Sequence, residues 1–130
     1  MSMDEAKVTF SHESVELLQQ MEDALLAMEE SPDDEEHINS VFRAMHTIKG
    51  AAGIFGFDFI VAFTHPVETE MDRIRSGDRP VDEALIAILL DCKDHTANLV
   101  THVMESEEGE LPAELATVGD DLLQRLVGVP

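Results

Sequence analysis

Ile38-Asn39-Ser40-Val41-Phe42-Arg43-Ala44-Met45-His46-Thr47-Ile48-Lys49-Gly50-Ala51-Ala52 decides how this chain folds. Its apolar residues Ile38, Val41, Phe42, Met45, Ile48 and Ala52 recur three and four apart, the period of a helix with one buried face. Working outward, Ser31-Pro32-Asp33-Asp34 separates this helix from one before it, and Asp33, Asp34, Glu35 and Glu36 suit a positive N-terminal end. In the preceding segment Val15, Leu18, Met21, Leu25 and Met28 keep the same spacing. Ser11 is placed as its cap, with Phe10 and Val15 as a hydrophobic staple.

Beyond Gly53-Ile54-Phe55-Gly56 a third stripe runs through Ile60, Phe63, Val67, Met71 and Ile74. Ser76-Gly77-Asp78-Arg79-Pro80 is a turn by composition. A fourth stripe uses Leu85, Ile88, Leu89, Cys92, Leu99 and Val103, and a fifth, after Gly109 and Pro112, uses Leu115, Val118, Leu122 and Leu126. The expected fold is all-α: helices over about 11–30, 35–53, 57–75, 82–105 and 112–127 in one domain. The first four form an antiparallel up-and-down bundle, with the fifth at its end or side. Pro66 conflicts with a regular third helix. It removes a backbone bond and crowds the carbonyl of Ala62 at a cost of about 3 kcal/mol, so a kink is expected between Ala62 and Pro66.

The 130 residues carry a net charge of −20, and 44% are hydrophobic, enough for a core rather than a disordered acidic chain. Such a surface repels nucleic acid. No apolar run is long enough to span a bilayer, and no basic-then-apolar leader opens the chain, so no membrane is expected. Cys92 stands alone, which fits a reducing compartment and a cytoplasmic location.

Despite that charge, no carboxylate occurs between Glu36 and Asp58. His46 sits inside this window with Lys49 and Gly50 after it, a locally positive patch suited to an anion. On a helical wheel His46 falls on the shoulder of the core stripe, which predicts a half-buried ring, flanked by Asn39, Arg43 and Gly50. A glycine inside a helix costs about 1 kcal/mol against alanine. Gly50 is therefore taken as space left for the imidazole, or as a close contact between helices. On the third helix His65, Glu68 and Asp72 form a polar strip that would lie beside this flank. A carboxylate accepting a proton from one imidazole nitrogen leaves the other free to act as a nucleophile. Glu68 is the choice for that role, with Lys49 and His65 completing the network.

The run Phe42-Arg43-Ala44-Met45-His46-Thr47-Ile48-Lys49-Gly50-Ala51-Ala52-Gly53-Ile54-Phe55-Gly56-Phe57 resembles the phosphorylation segment of histidine phosphotransfer (HPt) domains, above all those of CheA-type chemotaxis kinases. Thr64-His65-Pro66-Val67-Glu68 and Asp72 resemble that family's second patch, with Pro66 a departure from it. The resemblance implies that His46 is a phosphoacceptor, Glu68 its hydrogen-bond partner, and Lys49 and His65 their support. It implies loading by an ATP-binding kinase domain, in cis or in trans, and unloading by the aspartate of a CheY-like or CheB-like receiver domain. Arg43, Gly50, Gly53 and Phe57 would then meet the partner. The chain has no nucleotide-binding motif, so ATP and the receiver's Mg²⁺ are expected to come from partners, and the chain is expected to be a piece of a longer kinase.

Other readings compete. A docking bundle that carries no phosphate is one. A metal-holding bundle is another, since His95 and His102 lie seven apart, but this is not the usual three or four, and no metal is expected. His12 and His37 are placed near helix starts, facing solvent. Met21, Met28, Met45, Met71 and Met104 are placed in the core, and the acidic runs 33–36 and 105–110 at solvated helix ends. Asp72 is expected to pair with Arg75.

Overall fold

The structure, a computed structural model, describes residues 3–105 and 111–128. Its elements are α1 (Met3–Glu30), α2 (Glu35–Phe55), α3 (Asp58–Arg75), α4 (Glu83–Glu105) and α5 (Ala113–Gly128). Among the described residues there is no strand. Helix α1 lies against α2 and α4, α2 against α3, and α3 against α4, which closes an up-and-down four-helix bundle. Helix α5 packs beside the bundle on α3 and α4.

The stripes meet in one core. Met21, Leu25 and Met28 of α1, Val41, Met45 and Ile48 of α2, Ile60, Val67 and Met71 of α3, and Leu89 and Cys92 of α4 are fully buried. Helix ends follow local chemistry. Asp34 caps α2 by accepting the Glu36 N–H, and Asp82 accepts the Leu85 N–H at the head of α4. Gly56 closes α2 in the left-handed region at φ 79°, while the Phe57 N–H donates back to the Ala52 carbonyl.

Several expectations need correction. Ser11 does not cap α1, which is already helical from Met3. The inward stripe continues backward through Ala6, Phe10 and Ser14, and Phe10 packs edge-on against Phe55 and Phe57, with centroids 6.0 and 5.0 Å away. Val15 is 59% exposed, so the staple does not form. His12 does face solvent, but from the middle of a helix, while His37 is half-buried beside Asp34. Met104 and Val118 turn outward. Most of the 105–110 acidic run, with Gly109, lies outside the described residues. Helix α3 runs on through Pro66, as expected. The carbonyl deprived of its donor belongs to Ala62, which is exposed, so water can serve it.

A buried ion pair was not anticipated. Arg79, in the turn after α3, and Glu70 are each 4% exposed and paired. Arg73 shares the same carboxylate at 2.9 Å. The N–H groups of Asp78 and Arg79 both donate to the Arg73 carbonyl, so the turn is tied to α3 by backbone and side chain together.

Candidate functional site

The site lies where α2 meets α3. His46 Nδ1 stands 2.8 Å from Glu68 Oε1. Lys49 Nζ approaches the other carboxylate oxygen at 2.6 Å, an ion pair whose angle lies outside ordinary hydrogen-bond geometry. The carboxylate is 13% exposed and the imidazole 62%. The anchor is therefore sheltered while the ring it holds faces solvent, more open than its place on the wheel predicted. Burial alone raises the pKa of the Glu68 carboxyl. The Lys49 ammonium and the His46 N–H outweigh burial, and the net result lies below the ordinary carboxylate value. With Nδ1 engaged by an ionised carboxylate, Nδ1 carries the proton and Nε2 keeps a free lone pair.

His65, Thr69 and Asp72 line a shallow open depression of about 250 Å³ together with Glu68, Phe42 and Arg75. The polar strip is thus on the expected face. The His65 ring is exposed and makes no hydrogen bond among the described residues, so the structure brings together His46, Glu68 and Lys49 and leaves His65 at the rim. Arg43, Gly50 and Gly53 are exposed on α2. A Cβ on Gly50 would meet nothing within 4 Å, so that glycine is not a close contact between helices. Phe57 is 9% exposed under Phe10 and belongs to the core, so its ring has little surface to offer a partner.

Two neighbours were missed. Phe42, assigned to the core, is half-buried, and its ring lies within 10° of parallel to His46 with centroids 5.9 Å apart. The Arg75 guanidinium stands 3.8 Å from the Phe42 ring centre and pairs with Asp72 at 2.7 Å. The available signal was Phe42 one turn before His46, at the edge of the core stripe rather than its centre.

No cluster of three or more potential ligands occurs among the described residues. His95 is buried against Phe63, and His102 packs on Phe59.

An antiparallel helical bundle that displays one carboxylate-anchored imidazole on its surface is the class this fold and site define. Residues 5–128 match the Hpt domain family, and the chain belongs to it. A relative, the chemotaxis protein CheA of Rhizobium meliloti (strain 1021), is 39% identical over 99 residues, covering 76% of this chain and 13% of that protein. The chain thus spans under one fifth of that relative's length. The phosphorylated P1 domain of CheA3 from R. sphaeroides, solved in complex with CheY6, superposes with a TM-score of 0.84 at 24% identity, covering 98% of this chain and 99% of that one. The histidine phosphotransfer domain of CheA, solved in solution, gives 0.77 at 28% identity, covering 95% and 92%. No helix among the described residues is long and apolar enough to cross a membrane.

Proposed function

We propose that the chain is the phosphocarrier of a two-component chemotaxis relay, with His46 as the phosphoacceptor. The observation that carries this reading is the exposed imidazole anchored through Nδ1 to a sheltered carboxylate. The Nε2 lone pair attacks the γ-phosphorus of ATP held by a kinase catalytic domain. An N–P bond forms as the bond to the ADP oxygen breaks, with little covalent work for this chain beyond positioning. Glu68 keeps the Nδ1 proton and stabilises the positive charge that grows on the ring. Lys49, bound to the same carboxylate, offers a cation beside the new phosphoryl group. In the second step a carboxylate oxygen of a CheY-like or CheB-like receiver domain attacks phosphorus, and the N–P bond breaks to return the lone pair to Nε2. ATP belongs to the kinase domain and Mg²⁺ to the receiver. The relay works in the cytoplasm, as a module of a longer kinase whose catalytic domain acts in cis or in trans. His65, on the rim, and the exposed Arg43, Gly50 and Gly53 are where a partner would touch.

The test is incubation with ATP and the catalytic domain of a chemotaxis kinase. The expected product is an acid-labile, base-stable phosphate on His46, absent in His46→Gln and lost on adding a receiver domain. Labelling that survives His46→Gln overturns the assignment, and receiver binding without any labelling would favour a docking module.

A further inference from the structure

His46 is held by one hydrogen bond, and one bond to Nδ1 selects a nitrogen without fixing the plane of the ring. The terminal torsion of a histidine is broad, so a ring 62% exposed is free to tilt about that single tether unless something lies against its face. The Nε2 lone pair lies in the ring plane. A tilt therefore swings it off the line of approach to phosphorus, and in-line transfer is sensitive to such errors.

Phe42 supplies the missing face. It projects from the same side of α2 one turn earlier, and its ring is within 10° of parallel to the imidazole at 5.9 Å, inside the range of offset aromatic pairs. Phe42 is in turn held from the neighbouring helix. The Arg75 guanidinium sits 3.8 Å from its ring centre, a cation–π contact, and Asp72 fixes that guanidinium at 2.7 Å. The order Asp72, Arg75, Phe42, His46 thus crosses from α3 to α2, beside the direct Glu68 contact that crosses the same boundary. The two attachments from α3 act on different degrees of freedom. Glu68 chooses the nitrogen, and Arg75 with Phe42 sets the plane.

We propose that Phe42, steadied by the Arg75 guanidinium, is a positioning residue that fixes the plane of the His46 imidazole so that Nε2 is aimed for phosphoryl transfer. For its consequence in transfer this rests on His46 being the phosphoacceptor, but the positioning of the ring is measurable without phosphate.

The experiment uses Phe42→Leu, which keeps apolar bulk and removes the aromatic face, and Arg75→Gln, at a side chain 43% exposed where folding is not at risk. Carbon relaxation of the unphosphorylated His46 ring reports its order, and steady-state phosphorylation by a chemotaxis-kinase catalytic domain reports kcat and KM for the chain. Phe42→Leu is expected to loosen the ring and lower kcat roughly five-fold with KM unchanged. Arg75→Gln should do the same more weakly, and Phe42→Tyr should restore both readings. Unchanged ring order in Phe42→Leu overturns the proposal, as does a raised KM at constant kcat, which would make Phe42 a docking residue. If the native chain accepts no phosphate on His46, the phosphocarrier reading falls, and ring order alone decides the positioning of the imidazole.

Discussion

Glu68 serves an imidazole N–H and an ammonium from one sheltered position, and this makes it the most informative side chain to change. Glu68→Ala should slow phosphorylation of His46 by about ten-fold or more without abolishing it, since the nucleophile remains while its orientation and charge support go. An initial-rate comparison at equal kinase concentration checks this. The same carboxylate predicts a pH effect. Its folded pKa is depressed, so the unfolded chain binds the proton more readily and stability rises with pH across that range. The contribution is complete above the ordinary carboxylate value and disappears as pH falls through the lower folded value. Urea midpoints of the native chain and Glu68→Gln should therefore differ at neutral pH and converge in acid. His46, Lys49 and Glu68 were legible as a group because helical spacing puts them on facing flanks of consecutive antiparallel helices. Phe42 was not, because a half-buried ring at the edge of an apolar stripe has the same sequence signature as a core residue.

At the scale of the element, each helix was visible from its period, and the errors fall at ends and edges. The N-terminal reach of α1 was missed because Ser11 resembles a cap. What decides the matter is a distant contact, Phe10 on Phe55 and Phe57, which holds the earlier turn against the end of α2. Helix α3 accommodates Pro66 within an unbroken helix, so the proline is a cost carried by the packing of Phe63, Val67 and Met71 on the inward face. Pro66→Ala should raise stability by about 1 kcal/mol, measured by urea denaturation, since it restores a backbone donor to the Ala62 carbonyl. The turn after α3 depends on charge in a dry place. Arg79→Met should destabilise the chain by roughly 3 kcal/mol, because Glu70 would be left buried with only the more exposed Arg73 as partner. The double change Glu70→Leu with Arg79→Met should recover most of that loss in the same assay.

For the whole molecule, α5 is held by its buried Leu122 and Leu126 and by a close approach at Gly119. Gly119 is buried against α4, and a Cβ there would stand 2.9 Å from His95 Nε2 and 3.5 Å from Phe63 Cδ1. His95 is 3% exposed and its ring meets Phe63 at 4.5 Å, so it can yield only by giving up that packing. Gly119→Ala should cost about 1 kcal/mol or more despite alanine's better helix propensity, and become stabilising in a His95→Ala background. Thermal melts of the four proteins in that cycle give the coupling. Burial also holds the His95 pKa below the ordinary histidine value. The neutral ring belongs to the folded state, so stability is complete above the ordinary value and declines as pH falls below it. A His95→Gln chain should show a flatter dependence between about pH 7 and 5.

Sequence by itself determined that this chain is a bundle of helices and that one histidine stands in a carboxylate-free stretch facing a glutamate on the next helix. Periodicity and local charge carry that information, because both act over a few residues. Tertiary structure alone decided that the imidazole is open rather than half-covered, that Phe42 lies beside it with Arg75 on the Phe42 ring, and that Phe57 is core. It also decided that α5 lies against α3 and α4 at Gly119. Those outcomes depend on which side chains from separate helices reach the same few ångströms, and no spacing along one helix records what stands across from it.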